Sequence, residues 1–192
     1  MLTVGILGCN KTSEKEKEPE IKSSIEHLPP SIAVDCMASS FMEGISMYSN
    51  DNDLYIIKGI VLDNIEYGLK IKLIEDLKGN FPESVSEFIA WGNGNAFIEL
   101  NRLDNLTLYS KQDELYMLLT PTRDILAEMV PPDSKWLEKA EDYTTLNCTF
   151  SVLKLSDGYV SGYILANNGL YDNEQTMSHN DFQKKLNELL TK

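Results

Sequence analysis

The sequence predicts a mainly β protein, a small antiparallel barrel with short flanking helices and a C-terminal helix. Three observations carry this reading. Runs rich in β-branched and aromatic residues are separated by turns rather than by long helices, which argues against a parallel sheet of β–α–β units. Two late runs are split by Ser156-Asp157-Gly158, a hairpin signal. Hydrophobic residues make up 42% of 192, enough for the core of one domain, and closing the sheet on itself removes exposed strand edges.

The elements follow in order. Met37, Phe41, Ile45 and Tyr48 recur at helical spacing, so Met37 to Tyr48 reads as a short helix. Ser49-Asn50-Asp51-Asn52-Asp53 ends it, because these side chains compete for backbone hydrogen bonds. Leu54 to Leu62 is rich in β-branched residues and reads as a strand, turned by Asp63-Asn64. Leu69 to Ile74 alternates apolar and polar residues, which buries one face, and Lys78 to Pro82 stops that strand. Val85 to Trp91 alternates less cleanly and runs into Gly92-Asn93-Gly94-Asn95, a turn that permits positive φ. Residues 96–111 read mostly as loop. Glu114 to Leu119 is a buried strand closed by Thr120-Pro121. A short helix is expected around Ile125 to Met129. Thr144 to Leu155 reads as a strand, and Tyr159 to Leu165 returns from the hairpin turn. Ser178 caps a final helix with Asp181 in its first turn and Phe182, Leu186, Leu189 and Leu190 as its apolar stripe.

The N-terminal part differs in kind. Residues 1–9 are apolar and uncharged and end in Gly8-Cys9, and a charged stretch follows at once. Residues 10–31 hold four Lys and five Glu and run through Ser23-Ser24 to Pro29-Pro30 with nothing periodic to bury, the composition of a solvated tether. Residues 32–192 then form the single domain. Ile6-Leu7-Gly8-Cys9 resembles the end of a bacterial lipoprotein signal, which implies lipid on Cys9 and places the true start, with its basic segment, upstream of Met1. The alternative is a disordered apolar start with a free thiol. The charged stretch after Cys9 also resembles surface-export signals of some gut-dwelling Gram-negative bacteria, or is a plain linker. If Cys9 takes lipid, Cys36 and Cys148 remain, and an oxidising envelope compartment would join them in a disulfide from the domain's start to its body. Otherwise they pack as two buried thiols.

Charge and motif arithmetic narrow the chemistry. Seventeen Lys and Arg against 30 Asp and Glu give a net charge of −13, which repels phosphate backbones and excludes nucleic acid as an expected partner. No run approaches the ~18 apolar residues of a spanning helix, so membrane attachment is expected through the lipid on Cys9 only. Only two histidines exist, His27 in the tether and His179 at the start of the last helix. Neither has the setting of a nucleophile's base, and no Gly-x-Ser-x-Gly occurs. No cluster of His, Cys and acids has zinc spacing, and no phosphate-cradling glycine motif is complete, so no metal or cofactor is expected. Asp51-Asn52-Asp53 resembles the opening of a calcium loop, but Ile56 and Leu62 occupy the positions that need glycine and glutamate. Asp51/Asp53 and Glu75/Asp76 are carboxylate pairs of the sort that 30 acids produce by chance.

The series Ile57-Lys58-Gly59-Ile60-Val61-Leu62, Tyr67-Gly68-Leu69-Lys70-Ile71, Leu77-Lys78-Gly79 and Ala90-Trp91-Gly92 resembles the early strands of netrin-like modules, the group that contains the tissue inhibitors of metalloproteinases. Gln112 to Tyr116 is similar to the loop and strand that follow in them. Cys148 to Val152 with Gly158 to Gly162 resembles the closing part. The likeness spans residues 54–164 and implies an OB-like barrel. Trp91, Tyr55, Tyr67 and Tyr109 flank turns, where aromatics on such a barrel either form a platform for sugar rings or peptides or plug the barrel mouths. The expected function is a non-catalytic binding or interaction module on an exported, lipid-tethered protein of the cell envelope, at the outer membrane or surface of a Gram-negative bacterium. Its partner would be an envelope or extracellular protein, a peptide or a glycan. The resemblance leaves a rival, an inhibitor of an extracellular protease, whose mechanism would require cleavage just before Cys36. A carboxylate-dependent hydrolase is the third reading.

Overall fold

The computed structural model describes residues 38–65, 68–91, 109–121, 132, 143–145, 151–165 and 174–191. Helix α1 (Phe41–Tyr48) is followed by β1 (Tyr55–Ile65), β2 (Gly68–Asp76), β3 (Glu87–Trp91), β4 (Glu114–Pro121), β5 (Tyr143–Thr145), β6 (Val152–Ser156), β7 (Tyr159–Gly162), β8 (Gln175–Ser178) and helix α2 (His179–Leu190). All eight strands belong to one sheet in the order β1-β2-β3-β5-β4-β6-β7-β8, and β1 pairs with β4 as well. The mainly β expectation holds, with the strands antiparallel except at β3–β5. There, Ala90 and Trp91 run parallel to Tyr143 and Thr144.

The word barrel applies only loosely. Because β1 lies between β2 and β4, the first five strands curl back on one another. That circuit passes through the three-residue β5, which meets β4 over three residue pairs and β3 over two. From β4 the sheet continues through β6 and β7 and ends at β8, so the sheet as a whole stays open.

Two bulges help to curl β1 and β2. The register slips between Lys58 and Gly59 and again between Val61 and Asp63. Lys58 faces Glu75 while Gly59 faces Leu73, which makes Ile74 an extra residue on β2. Val61 faces Ile71 while Asp63 faces Lys70, which makes Leu62 extra on β1. Each inserted residue bends its strand and sharpens the twist. Gly59 sits where the bend brings chains closest. A Cβ there would lie 2.5 Å from Ile71 Cγ2, 3.1 Å from the Lys72 carbonyl oxygen and 3.3 Å from Met117 Cε.

Strand β4 explains why the sheet has two cores. Its residues are buried on both faces, so it reads as an unbroken apolar run. Leu115, Met117 and Leu119 point to one face with Ile57, Val61, Leu69, Ile71, Phe88 and Ala90. Tyr116 and Leu118 point to the other, with Ile56, Leu153 and Val160, and both helices cover that side. Phe41 and Ile45 of α1 and Phe182 and Leu186 of α2 are fully or almost fully buried there, and the Phe41 and Phe182 rings stand 6.1 Å apart. The helix α1 is docked at its start as well: the Phe41 and Met42 amides donate to the carbonyls of Tyr163 and Ile164.

The structure corrects several local expectations. Asp63-Asn64 does not turn the chain, since β1 continues to Ile65. The two polar side chains are instead engaged at the strand's end: Asp63 Oδ1 accepts from the Asn64 amide and pairs with Lys111 at 3.1 Å, and Asn64 Nδ2 donates to the Tyr109 carbonyl. The run Thr144 to Leu155 is not one strand. Both halves lie antiparallel along β4, but Leu119 faces Thr145 (119 + 145 = 264) while Met117 faces Val152 (117 + 152 = 269). The register on β4 therefore differs by five between β5 and β6. The hairpin is as expected, turning through Asp157 (φ 51°) and Gly158 (φ 79°), the positive-φ pair that matches strand twist. Strand β8 was unforeseen. The residues 1–37, with Cys9 and Cys36, and the residues Tyr67 and Cys148 lie outside the described residues, as does the helix expected around Ile125.

Candidate functional site

The aromatics that the sequence singles out do not gather at one place. Tyr55 begins β1 and packs edge-on against Phe81 at 5.2 Å, and Phe81 in turn meets Phe88 at 5.2 Å. Tyr109 is at the opposite end of β1, where its carbonyl accepts from Asn64. With 11 residues, β1 spans on the order of 35 Å when extended. Trp91 joins the Tyr109 end: its backbone pairs with Gly68, which pairs with Ile65. Tyr109 is half-buried against the inner core, and burial, with Glu174 and Asp113 adding negative charge, pushes its hydroxyl up to about 12. It is a neutral phenol that closes this end of the core.

The loop leading into β4 is held at the same end. Gln112 adopts φ 76°, a left-handed conformation rare for a side-chain-bearing residue. Its amide donates to the Val61 carbonyl, and the Val61 amide donates to that of Asp113. Asp113 Oδ2 accepts from the Ser110 amide and from Lys154 Nζ at 2.7 Å. These bonds fix the segment from Tyr109 to Asp113 against β1 and β6.

One acid of each carboxylate pair, Asp51 and Asp76, is engaged in a turn. Asp76 accepts from the amides of Lys78, Gly79 and Phe81. Asp51 Oδ1 accepts from the Asp53 amide. Lys78 Nζ donates to the Asp51 and Leu54 carbonyls, and Asn80 Nδ2 to those of Asn52 and Leu54. This lattice ties the loop before β1 to the loop after β2. Among the described residues no group of three His, Cys, Asp or Glu is placed to hold a metal ion.

A polar cluster that the sequence reading missed lies on the helix-covered face. Tyr116 is 1% exposed, and its hydroxyl meets His179 Nε2 at 2.6 Å. Gln183 lies one helical turn beyond His179, where side chains four apart share a face. Phe182 packs on the Tyr116 ring at 4.7 Å. In the sheet, Lys58 stands between Glu75 and Tyr116, forms an ion pair with Glu114 at 2.7 Å and lies 5.9 Å from the Tyr116 ring centre. Burial, then the charge of Glu75, pushes the Tyr116 hydroxyl up to about 12. Burial, then Lys58, holds the His179 ring below its ordinary value. The tautomer of the neutral ring decides which of the two donates; the Nδ1–H form makes Nε2 the acceptor of the phenol O–H. The signal for this pair was a lone polar handle inside the apolar run Glu114 to Leu119, since a buried tyrosine hydroxyl needs a partner.

Comparison with family models, with curated proteins and with solved structures returned no match for this chain. No helix among the described residues is long and apolar enough to cross a membrane.

Proposed function

We propose that this protein is a non-catalytic binding module, tethered by lipid at Cys9 to the bacterial envelope. Its ligand surface is the end of the sheet where Trp91, Tyr109 and the Ile65–Gly68 pair meet. The observation that carries this reading is that the Trp91–Gly68 and Gly68–Ile65 pairs and the Asn64–Tyr109 bond bring these residues to one end of the sheet. Two of the four sequence-selected aromatics, Trp91 and Tyr109, come to this end. The curled circuit of β1 to β5 supports the OB-like and netrin-like readings, and on OB-like barrels the second and third strands and the adjoining loops carry ligands. The chain's negative charge disfavours nucleic acid, which leaves peptides of envelope or extracellular proteins and glycans. Protease inhibition is the rival within the same class.

Trp91 reports on this directly, because Trp136 is the only other tryptophan. In a Cys9→Ser, Trp136→Phe chain, Trp91 emission is followed against one pool of envelope oligosaccharides and one of extracellular-protein peptides. The expected result is a saturable shift with one pool, lost in Trp91→Ala, with the pool recovered unchanged in mass. No shift with either pool, or a pool returned cleaved, overturns the reading; cleavage would favour the hydrolase.

A further inference from the structure

The Tyr116–His179 pair joins the first residue of α2 to the most buried strand of the sheet, and it lies away from the proposed ligand end. We propose that it is an acid-sensitive latch: a proton on His179 removes the acceptor of the buried Tyr116 hydroxyl and frees the N-terminal turn of α2 from the sheet.

The geometry sets out the reasons. The Tyr116 hydroxyl and His179 Nε2 share a hydrogen bond at 2.6 Å; with the neutral ring in its Nδ1–H tautomer, the form the latch requires, Nε2 accepts, and a protonated ring has no acceptor left. The phenol, 1% exposed, then has to turn its proton elsewhere, and an unmet buried donor is costly. The positive ring would also stand at a helix N-terminus, where the peptide dipoles disfavour cations. Around it, Lys58 on β1 opposes the proton, while Glu114 on β4 and Glu75 on β2 favour it. On α2 itself, Asp181 is occupied by the Ser178 hydroxyl. In the turn before β7, Asp157 accepts from Ser156, and on α1 Glu43 accepts from Ser39. Strands β7 and β8 contribute no Asp, Glu, Lys, Arg or His, and their one phenol, Tyr159, is exposed.

The direction follows from linkage. The ring titrates below its ordinary 6.5 when folded, so between that lower value and 6.5 the unfolded chain binds more protons. The neutral latch is intact above about pH 6.5, weakens as pH falls below it, and is lost once pH passes the folded value. Lifting this turn exposes the contact of Phe182 with Tyr116.

Hydrogen exchange of the full chain, corrected for intrinsic rates, tests this at pH 7.5 and pH 5.0. Peptides covering residues 179–190 are expected to lose protection by about tenfold for each unit that His179 titrates below 6.5, while β1 and β4 change less. His179→Gln, neutral at both pH values, is expected to abolish the difference. Tyr116→Phe is expected to speed α2 exchange already at pH 7.5. Exchange of α2 that tracks β4 in the wild type, or a pH dependence that survives in His179→Gln, overturns the latch. The NMR titration of the His179 ring decides independently of any variant: a midpoint below 6.5 supports it, and one at or above 6.5 contradicts it.

Discussion

Replacing Gly59 by alanine tests the curled part of the sheet at its tightest point. Gly59 lies in β1 between Leu73 of β2 and Leu115 of β4. The new methyl would stand 2.5 Å from Ile71 Cγ2, where carbon atoms ordinarily settle at about 3.5–4 Å. Ile71 is fully buried, and the next neighbour, the Lys72 carbonyl at 3.1 Å, is backbone. A shift of about 1 Å is therefore needed in a packed core, at the upper end of the ~1–3 kcal/mol range for overpacking. Loss of glycine's freedom in the unfolded chain offsets up to about 1 kcal/mol. The net loss is about 2 kcal/mol, or roughly 4–8 °C in Tm for a chain of this size. Urea unfolding of Gly59→Ala, Ile71→Ala and the double variant measures it. Ile71→Ala alone is expected to cost ~2–5 kcal/mol through the cavity it leaves. Because it removes the clashing Cγ2, the double variant is expected to lose at least ~1 kcal/mol less than the sum. A neutral Gly59→Ala, or additivity within ~0.5 kcal/mol, would refute the close approach.

Further outcomes are expected elsewhere. Ser178→Ala removes the oxygen that accepts from the Asp181 amide and should cost about 1 kcal/mol in urea unfolding, with Ser178→Asp recovering most of it; no loss would mean the cap is not formed. Phe182→Ala empties the contact between α2 and Tyr116 and should cost ~3–5 kcal/mol, and a loss under ~1 kcal/mol would show that α2 is not docked. If Cys36 and Cys148 are joined, the unfolded, unreduced chain takes up no iodoacetamide at either position, and two alkylations there would leave them as thiols. Detergent-phase partitioning of the protein expressed from its native start should be abolished by Cys9→Ala; unchanged partitioning would exclude lipid at Cys9.

Legibility followed sequence distance. Strands β1, β2 and β4, the Asp157-Gly158 hairpin and the Ser178 cap each announce themselves within about a dozen residues, by alternation, turn chemistry or a side chain reaching three positions on. The Ser40 cap of α1, whose hydroxyl accepts from the Glu43 amide, was equally local and was overlooked. What stayed hidden depends on partners far along the chain. The bulges at Leu62 and Ile74 exist only in the register of β1 on β2. The division of Thr144 to Leu155 into β5 and β6 is decided by β4, whose one edge takes both. Strand β8, Gln175-Thr176-Met177-Ser178, has little strand character of its own and is held by its ladder to β7. Of the candidate site, the residue types were legible and their grouping was not: Tyr55 looked equivalent to Tyr109, but β1 holds them at opposite ends. Tyr116 and His179 are 63 positions apart, and neither residue alone indicates the other.

Binding at the Trp91 end is tested most directly by amide chemical-shift mapping on the 15N-labelled full chain carrying Cys9→Ser, with the oligosaccharide pool and the peptide pool added in turn. The expected result is a saturable set of shifts at Ile65, Gly68, Trp91, Tyr109 and Ser110 with one pool, while Tyr55, Phe81 and α2 stay in place. Shifts confined to the Tyr55 end or to α2, or none with either pool, would contradict it.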